Sequence, residues 1–249
     1  MSLLEAVAVV AAGFAAGTIN AVVGSGTLIT FPTLLAVGYP PVVANVSNAV
    51  GLVPGSMAGA WGYRRELSGQ RSRMVRFGMA GVVGAVGGAL LLLVLPPGAF
   101  EAIVPGLIVL GCTLVAIQPW LARRLKQRER KVDGGAGVWV LVLATAVYGG
   151  YFGAAQGVIL LAVLGLSLDD SLQRLNAAKN VQAGLVNLVA GIVFVIAADV
   201  DWAVVGMIAL GAVGGGLFGA KVGRSLPSLV LRGVVVVVGL VAAVAMVVR

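Results

Sequence analysis

Apolar side chains run through this chain in long stretches, and the few polar ones sit at the ends of the stretches or in small groups inside them. Ten apolar segments can be marked, at residues 3–22, 24–37, 41–62, 75–95, 100–121, 137–152, 153–166, 172–197, 202–220 and 228–248. Stretches of this kind read as helices, because a helix satisfies its own backbone hydrogen bonds and lipid offers none. Two are too short to cross a bilayer. After Gly24-Ser25-Gly26 and after Gly153 only about 12 to 14 residues precede the next turn, against the roughly 20 that a crossing needs. Each is expected to be a half-helix.

The two short segments occupy matching places, and other echoes keep a similar spacing. GAVGG occurs at Gly84–Gly88 and at Gly211–Gly215 (211 − 84 = 127), and Gly38 and Gly165 share that offset. NAVGLVPGSMAG from Asn48 resembles NVQAGLVNLVAG from Asn180 (180 − 48 = 132), which places an insertion near Asp169-Asp170-Ser171. One match is cheap in a chain built largely from Gly, Ala, Val and Leu; three in order imply a duplication. The division expected is a first repeat over 1–121, a basic linker over 122–136 and a second repeat over 137–249.

Charge supplies orientation. The loop from Tyr63 to Arg76 is basic while its repeat counterpart, Asp199-Val200-Asp201, is acidic. The turn from Pro96 to Glu101 carries no base while its counterpart carries Lys221 and Arg224. Cytoplasmic loops retain positive charge, so the two halves are expected to be inserted in opposite senses, as inverted repeats with a pseudo-two-fold axis in the membrane plane. The fold class predicted is therefore all-α: a polytopic membrane protein of two inverted repeats with broken or re-entrant half-helices. With 63–76 and 122–133 inside, both termini fall outside if each short segment pairs with its predecessor as a hairpin.

Composition narrows the function classes. Of 249 residues, 60% are hydrophobic and 10% charged, with a mean hydropathy of +1.07; a soluble domain carries roughly 25% charge. The net charge of +8 does not point to nucleic acid, because eleven of the seventeen Lys and Arg residues lie in Arg64–Arg76 and Arg123–Lys131, between apolar segments. Histidine is absent and Cys112 is the single cysteine, which removes the commonest general base and metal ligand and any disulfide framework. No catalytic residue, metal site or cofactor is expected. The N-terminal stretch carries Glu5 where a signal peptide has a basic region, so it is read as part of the fold.

Polar groups inside apolar spans need partners or a cavity, and this singles out candidate binding residues. In the first half these are Asn20, Gly24, Ser25, Gly26 and Thr27 around the break, then Asn45, Ser47 and Asn48. In the second half they are Gly153, Gln156 and Gly157, then Asn176, Lys179 and Asn180, with Gln182 and Asn187 beyond. Lys179 is the sharpest signal, because a cation within a span costs about 2.5 to 3.5 kcal/mol on insertion scales; the bland alternative is a side chain that snorkels to the interface. The two glycine breaks can expose backbone N–H groups at half-helix N-termini, where the dipole favours negative charge, or can simply permit close packing. Asn and Ser can equally serve as glue between helices. Arg174 and Asp170 read as a local ion pair at the interface, and Pro32 and Pro54 as residues that shape their helices.

At these residues the sequence resembles the TauE/SafE family of sulfite exporter permeases, in a form similar to actinobacterial members. The likeness spans nearly the whole chain. It rests on the Gly-rich break before an apolar run, on Gly38-x-Pro40-Pro41, on ANVSN at Ala44–Asn48, and on YGGYFGAAQGVILL from Tyr148 and LQRLNAAKNV from Leu172. It implies a secondary transporter in the plasma membrane that exports sulfite, organosulfonates or related sulfur and carboxylate anions. NAAKN with Lys179 departs from the family's second-half turn. An anion channel without alternating access is the alternative reading. The partners expected are a small anion, the bilayer and, as a candidate assembly, a second copy of the chain.

Overall fold

The computed structural model describes residues 1–125, 135–222 and 228–248. The basic linker expected over 122–136 falls largely outside these, as does Arg224. The described residues form ten α-helices: α1 Leu3–Val22, α2 Thr27–Val37, α3 Pro41–Gly62, α4 Arg71–Val94, α5 Pro97–Leu125, α6 Ala136–Tyr151, α7 Gln156–Ser167, α8 Leu172–Ala197, α9 Trp202–Val222 and α10 Ser228–Val248. Each apolar segment of the sequence became one helix. The two half-helices begin later than the segments that predicted them, at Thr27 and Gln156, because Gly24 and Gly153 adopt φ values of +93° and +77° that end helical geometry.

Local chemistry fixes the other boundaries. Ser2 and Glu5 form a capping box at the start of α1, so the carboxylate that argues against a signal peptide is a helix cap. Gly38 ends α2 at φ +99°, its N–H donating to the carbonyls of Leu34 and Leu35, and Pro41 opens α3. The Ser171 hydroxyl accepts from the Arg174 N–H at α8, and the Asp201 carboxylate from the Val204 N–H at α9.

Side-chain ties sort the turns into two ends. At one, Arg73 and Asp170 pair at 2.7 Å, Arg174 reaches both Asp170 at 2.7 Å and the Ser68 carbonyl at 2.9 Å, and the Trp139 indole N–H meets the Arg76 carbonyl at 3.2 Å. This arginine-rich end gathers the α3–α4 loop, the α7–α8 turn and the start of α6. At the other end, the Asp201 N–H donates to Ser47 at 2.9 Å, and Tyr39 lies beside the carboxylates of Asp201 and Glu5. That acidic end gathers the start of α1, the α2–α3 turn and the α8–α9 turn.

Two hairpins follow from this. α1 and α2 enter from the acidic end and return to it; α6 and α7 enter from the arginine-rich end and return there. At 1.5 Å per residue, α2 and α7 are roughly 16 to 18 Å long, half the ~30 Å hydrocarbon core. Their breaks meet: the Gly157 N–H donates to the Gly24 carbonyl at 3.0 Å, and a Cβ on either glycine would stand 2.6 Å from the Cα of the other.

Contacts in the two halves match residue by residue. Gly211 and Gly215 of α9 lie on the backbone of Val10 and Phe14 in α1, and Gly84 and Gly88 of α4 lie on that of Leu143 and Val147 in α6. Gly51 of α3 meets Ile208 of α9, as Gln182 of α8 meets Gly81 of α4. That last correspondence gives 182 − 51 = 131, one less than the sequence offset, so the packing counterpart of Asn48 is Lys179 (48 + 131 = 179) rather than Asn180.

Large apolar side chains cover the outside, among them Leu3, Val94, Ile196 and Leu210, each at least three-quarters exposed. Among the described residues, α1, α4, α5, α8 and α9 are long and apolar enough to cross a membrane. The chain is a multi-pass membrane protein.

Candidate functional site

Where the hairpin tips cross, a polar chamber opens with room for about one water molecule. The first hairpin lines it with Asn20, Gly24 and Thr27, the second with Gly153, Gln156 and Gly157. Helix α8 adds Asn180, Ala183 and Asn187, and α3 adds Ser56. Seven of the fourteen candidate residues thus share one cavity.

The other seven do not line it. Lys179 is wholly buried, and its ammonium donates to the Asn20 carbonyl at 2.8 Å. No carboxylate pairs with it among the described residues. Snorkelling is thereby overturned: the side chain turns inward to the end of α1. Asn176, three residues before Lys179, and Asn180, four residues after Asn176, donate to the Ala21 carbonyl at 2.9 and 3.3 Å. Three donors of α8 therefore cap carbonyls that the break in α1 leaves without helical partners. Asn45 does the same for the second hairpin, donating to the Tyr151 carbonyl at 3.0 Å. Asn48 holds Thr27 at 3.3 Å and also Thr30, so it braces the wall of the chamber from behind.

Ser47 does not join this group. One residue from Asn48 on α3, it faces about 100° away and holds the α8–α9 turn at the acidic end. Ser25 is buried beside the break with a hydroxyl that has no partner.

The backbone amides at the breaks are only partly available. The Gly26 N–H is taken by the Asn20 side chain at 2.6 Å, Gly157 by Gly24, and Gln156 by the Gly153 carbonyl at 3.2 Å. Those of Ser25, Thr27, Ala154 and Ala155 donate to no protein acceptor among the described residues. The sequence reads the two glycine breaks either as exposed N–H groups or as places of close packing; the crossing of the tips uses several of these amides to hold the hairpins together.

Ser56 and Thr30 were missed. The signal for Ser56 was helical spacing, since it lies eleven residues, three turns, beyond Asn45 on the same face of α3, and its counterpart at the packing offset is Asn187 (56 + 131 = 187), also in the chamber. Its hydroxyl is buried without a partner, as are one oxygen of Asn176 and the Ser25 hydroxyl. Buried polar atoms without partners are rare, and here several gather around one cavity.

Comparison with known proteins agrees with a transport role. The chain is 25% identical over 234 residues to the Probable membrane transporter protein YfcA of Escherichia coli (strain K12), covering 91% of this chain and 83% of that one. It is 25% identical over 228 residues to a Probable membrane transporter protein of Haemophilus influenzae, covering 90% and 88%, and 27% identical over 146 residues to the Probable membrane transporter protein ORF9 of a Sinorhizobium species, covering 59% and 55%. No solved structure matches. The family described as Sulfite exporter TauE/SafE matches residues 9–246. With that match over nearly its whole length, and two interrupted hairpins meeting at a polar chamber, the chain belongs to the sulfite exporter TauE/SafE family.

Proposed function

We propose that the chain is a secondary transporter for small anions, such as sulfite, organosulfonates or related sulfur and carboxylate anions, in the plasma membrane. The observation that carries this is the buried ammonium of Lys179, which has a single carbonyl partner and no counter-ion among the described residues, one residue from Asn180 in a chamber that the unpaired hydroxyl of Ser56 also lines. A lone cation inside a bilayer is costly, and an anion in the chamber removes that cost. The division into a first repeat at 1–121 and an inverted second repeat at 137–249 is part of the proposal. It is supported by the matching contacts of α1 with α9 and α6 with α4, and by hairpins that open to opposite ends. Rocking of one half against the other around the crossing then exposes the chamber alternately.

A channel is disfavoured by a cavity no larger than a water molecule with tips locked across it. The test is counterflow in proteoliposomes loaded with sulfite, a sulfonate or a small carboxylate. A transporter gives saturable counterflow, and Lys179→Ala reduces it at least about tenfold, the loss of one charge-assisted contact. Flux without counterflow, or flux unchanged in that variant, overturns the site. Nucleic acid plays no part in this function. A homodimer remains part of the proposal, to be read from the mass of the detergent-solubilised protein.

A further inference from the structure

We propose that Lys179 carries a proton together with the anion, so that each monoanion crosses as a neutral pair with one H⁺. This deepens the transport reading and rests on it. The ammonium is wholly buried, its one partner among the described residues is the Asn20 carbonyl, and Asn20 is also one of the residues that line the chamber. Its sequence neighbour Asn180 lines the same chamber.

The charges around it leave the ammonium alone. Helix α8 packs on α1, α3, α4, α6 and α7. Neither α3 nor α7 carries a titratable side chain, and α6 offers only Tyr148 and Tyr151. Those of α4 are Arg71, Arg73 and Arg76 in its first turns at the arginine-rich end, where Arg73 and Arg174 of α8 itself are tied to Asp170. The one carboxylate of α1, Glu5, sits at the opposite end of its helix as a cap. No acid in the described spans can balance Lys179 or relay its proton.

Coupling follows from linkage. With an anion in the chamber the ammonium has its counter-charge, and proton binding is favoured; when the anion leaves, the buried charge is uncompensated and the proton leaves with it. Each ligand raises the affinity for the other by the same factor. The proton is taken from the side that supplies the anion and released on the side that receives it, so the lysine is neutral on the return. A bare anion would be driven outward by an inside-negative potential. An anion that travels with a proton ignores the potential and follows the pH and anion gradients.

The experiment uses the full chain in proteoliposomes with an entrapped pH dye and methanesulfonate, whose own charge is fixed near neutral pH, with sulfite as second probe. At zero potential a pH gradient of one unit should accumulate the anion up to about tenfold, the ratio that one coupled proton balances, with one H⁺ per anion in the dye signal. A potassium diffusion potential at equal pH should accumulate none. In the residual flux of Lys179→Arg, a fixed cation, and of Lys179→Gln, a neutral side chain, the accumulation driven by pH and the one H⁺ per anion should both be lost. Counterflow in the wild type with accumulation that follows the potential overturns the proton coupling and leaves the transport reading standing. Tenfold accumulation that persists in both variants overturns the role of Lys179. Counterflow with neither anion removes the transport reading and this inference with it.

Discussion

The first hairpin reaches deeper than the second. Helix α6 stops at Tyr151, whose packing counterpart in α1 is Thr18, the two lying against Gly88 and Gly215 respectively. Helix α1 continues to Val22, four residues or one helical turn further. Two carbonyls of that extra turn, those of Asn20 and Ala21, take Lys179, Asn176 and Asn180. The tip of α6 offers the Tyr151 carbonyl to Asn45 alone, and Asn48, at the position matching Lys179, turns to threonines of α2. The added turn brings the negative end of a helix dipole to a place where its counterpart has none. A neutral amide in one half can therefore become a buried cation in the other, while the packing beneath stays the same. The proposed duplication accounts for the frame; the difference of one turn at the tips accounts for where charge enters the site.

If the frame is shared, equivalent glycines should be equally indispensable. Gly88→Leu and Gly215→Leu each force a side chain into the backbone of the facing hairpin, and each should cost about 3 kcal/mol or more, at the upper end of overpacking. Size-exclusion profiles of the solubilised protein should lose the monodisperse peak in both. One variant that stays folded breaks the equivalence. A smaller effect tests the tips. Asn45→Ala leaves the buried Tyr151 carbonyl without its side-chain donor and should cost about 2 kcal/mol, whereas Asn176→Ala, with Asn180 still on Ala21, should cost about half that. Thermal midpoints in detergent that fall equally would mean that the extra turn confers no redundancy.

The smallest effect sets the arginine-rich end against the acidic one. Burial alone would raise the pKa of Asp170, but hydrogen bonds from Arg73 and the Ser171 N–H, with the charge of Arg174, hold it below the usual carboxylate value. A carboxyl with a lowered folded pKa contributes stability that is fully present above the unfolded value, about 3.9, and is lost as pH falls through the folded one. Asp170→Asn should therefore lower stability by about 1 kcal/mol at neutral pH, with the gap from wild type closing as pH falls below about 4. At the acidic end, burial and the neighbouring Asp201 raise the pKa of Tyr39, so that end keeps its protonated phenol throughout this range. A gap of constant size down to pH 3 would show that the ion pair does not clamp the first turns of α4 and α8.

Much of the architecture was legible from residue order. Apolar runs located all ten helices because each backbone must satisfy itself in lipid, and the bounds of the run at 172–197 are those of α8. Capping residues, the glycine breaks and the short lengths of α2 and α7 were also readable, since they follow from local geometry. Asp170 and Arg174 pair as expected, but their second link, to Arg73 across 97 residues, was not readable. The candidate site was half legible. Polar residues in apolar spans mark a region, but which amide faces the chamber and which caps a carbonyl depends on where the other hairpin ends.

By itself the sequence determined a multi-pass all-helical protein, the position of its breaks and the scarcity of buried charge, because hydrophobic length and helix punctuation act within a few turns. Only the tertiary structure decided that Gly24 and Gly157 cross, that Ser47 serves the acidic end, and that Lys179 points at the end of α1 instead of the interface. Those outcomes depend on contacts between residues more than a hundred positions apart, where a shift of one turn changes which polar groups meet.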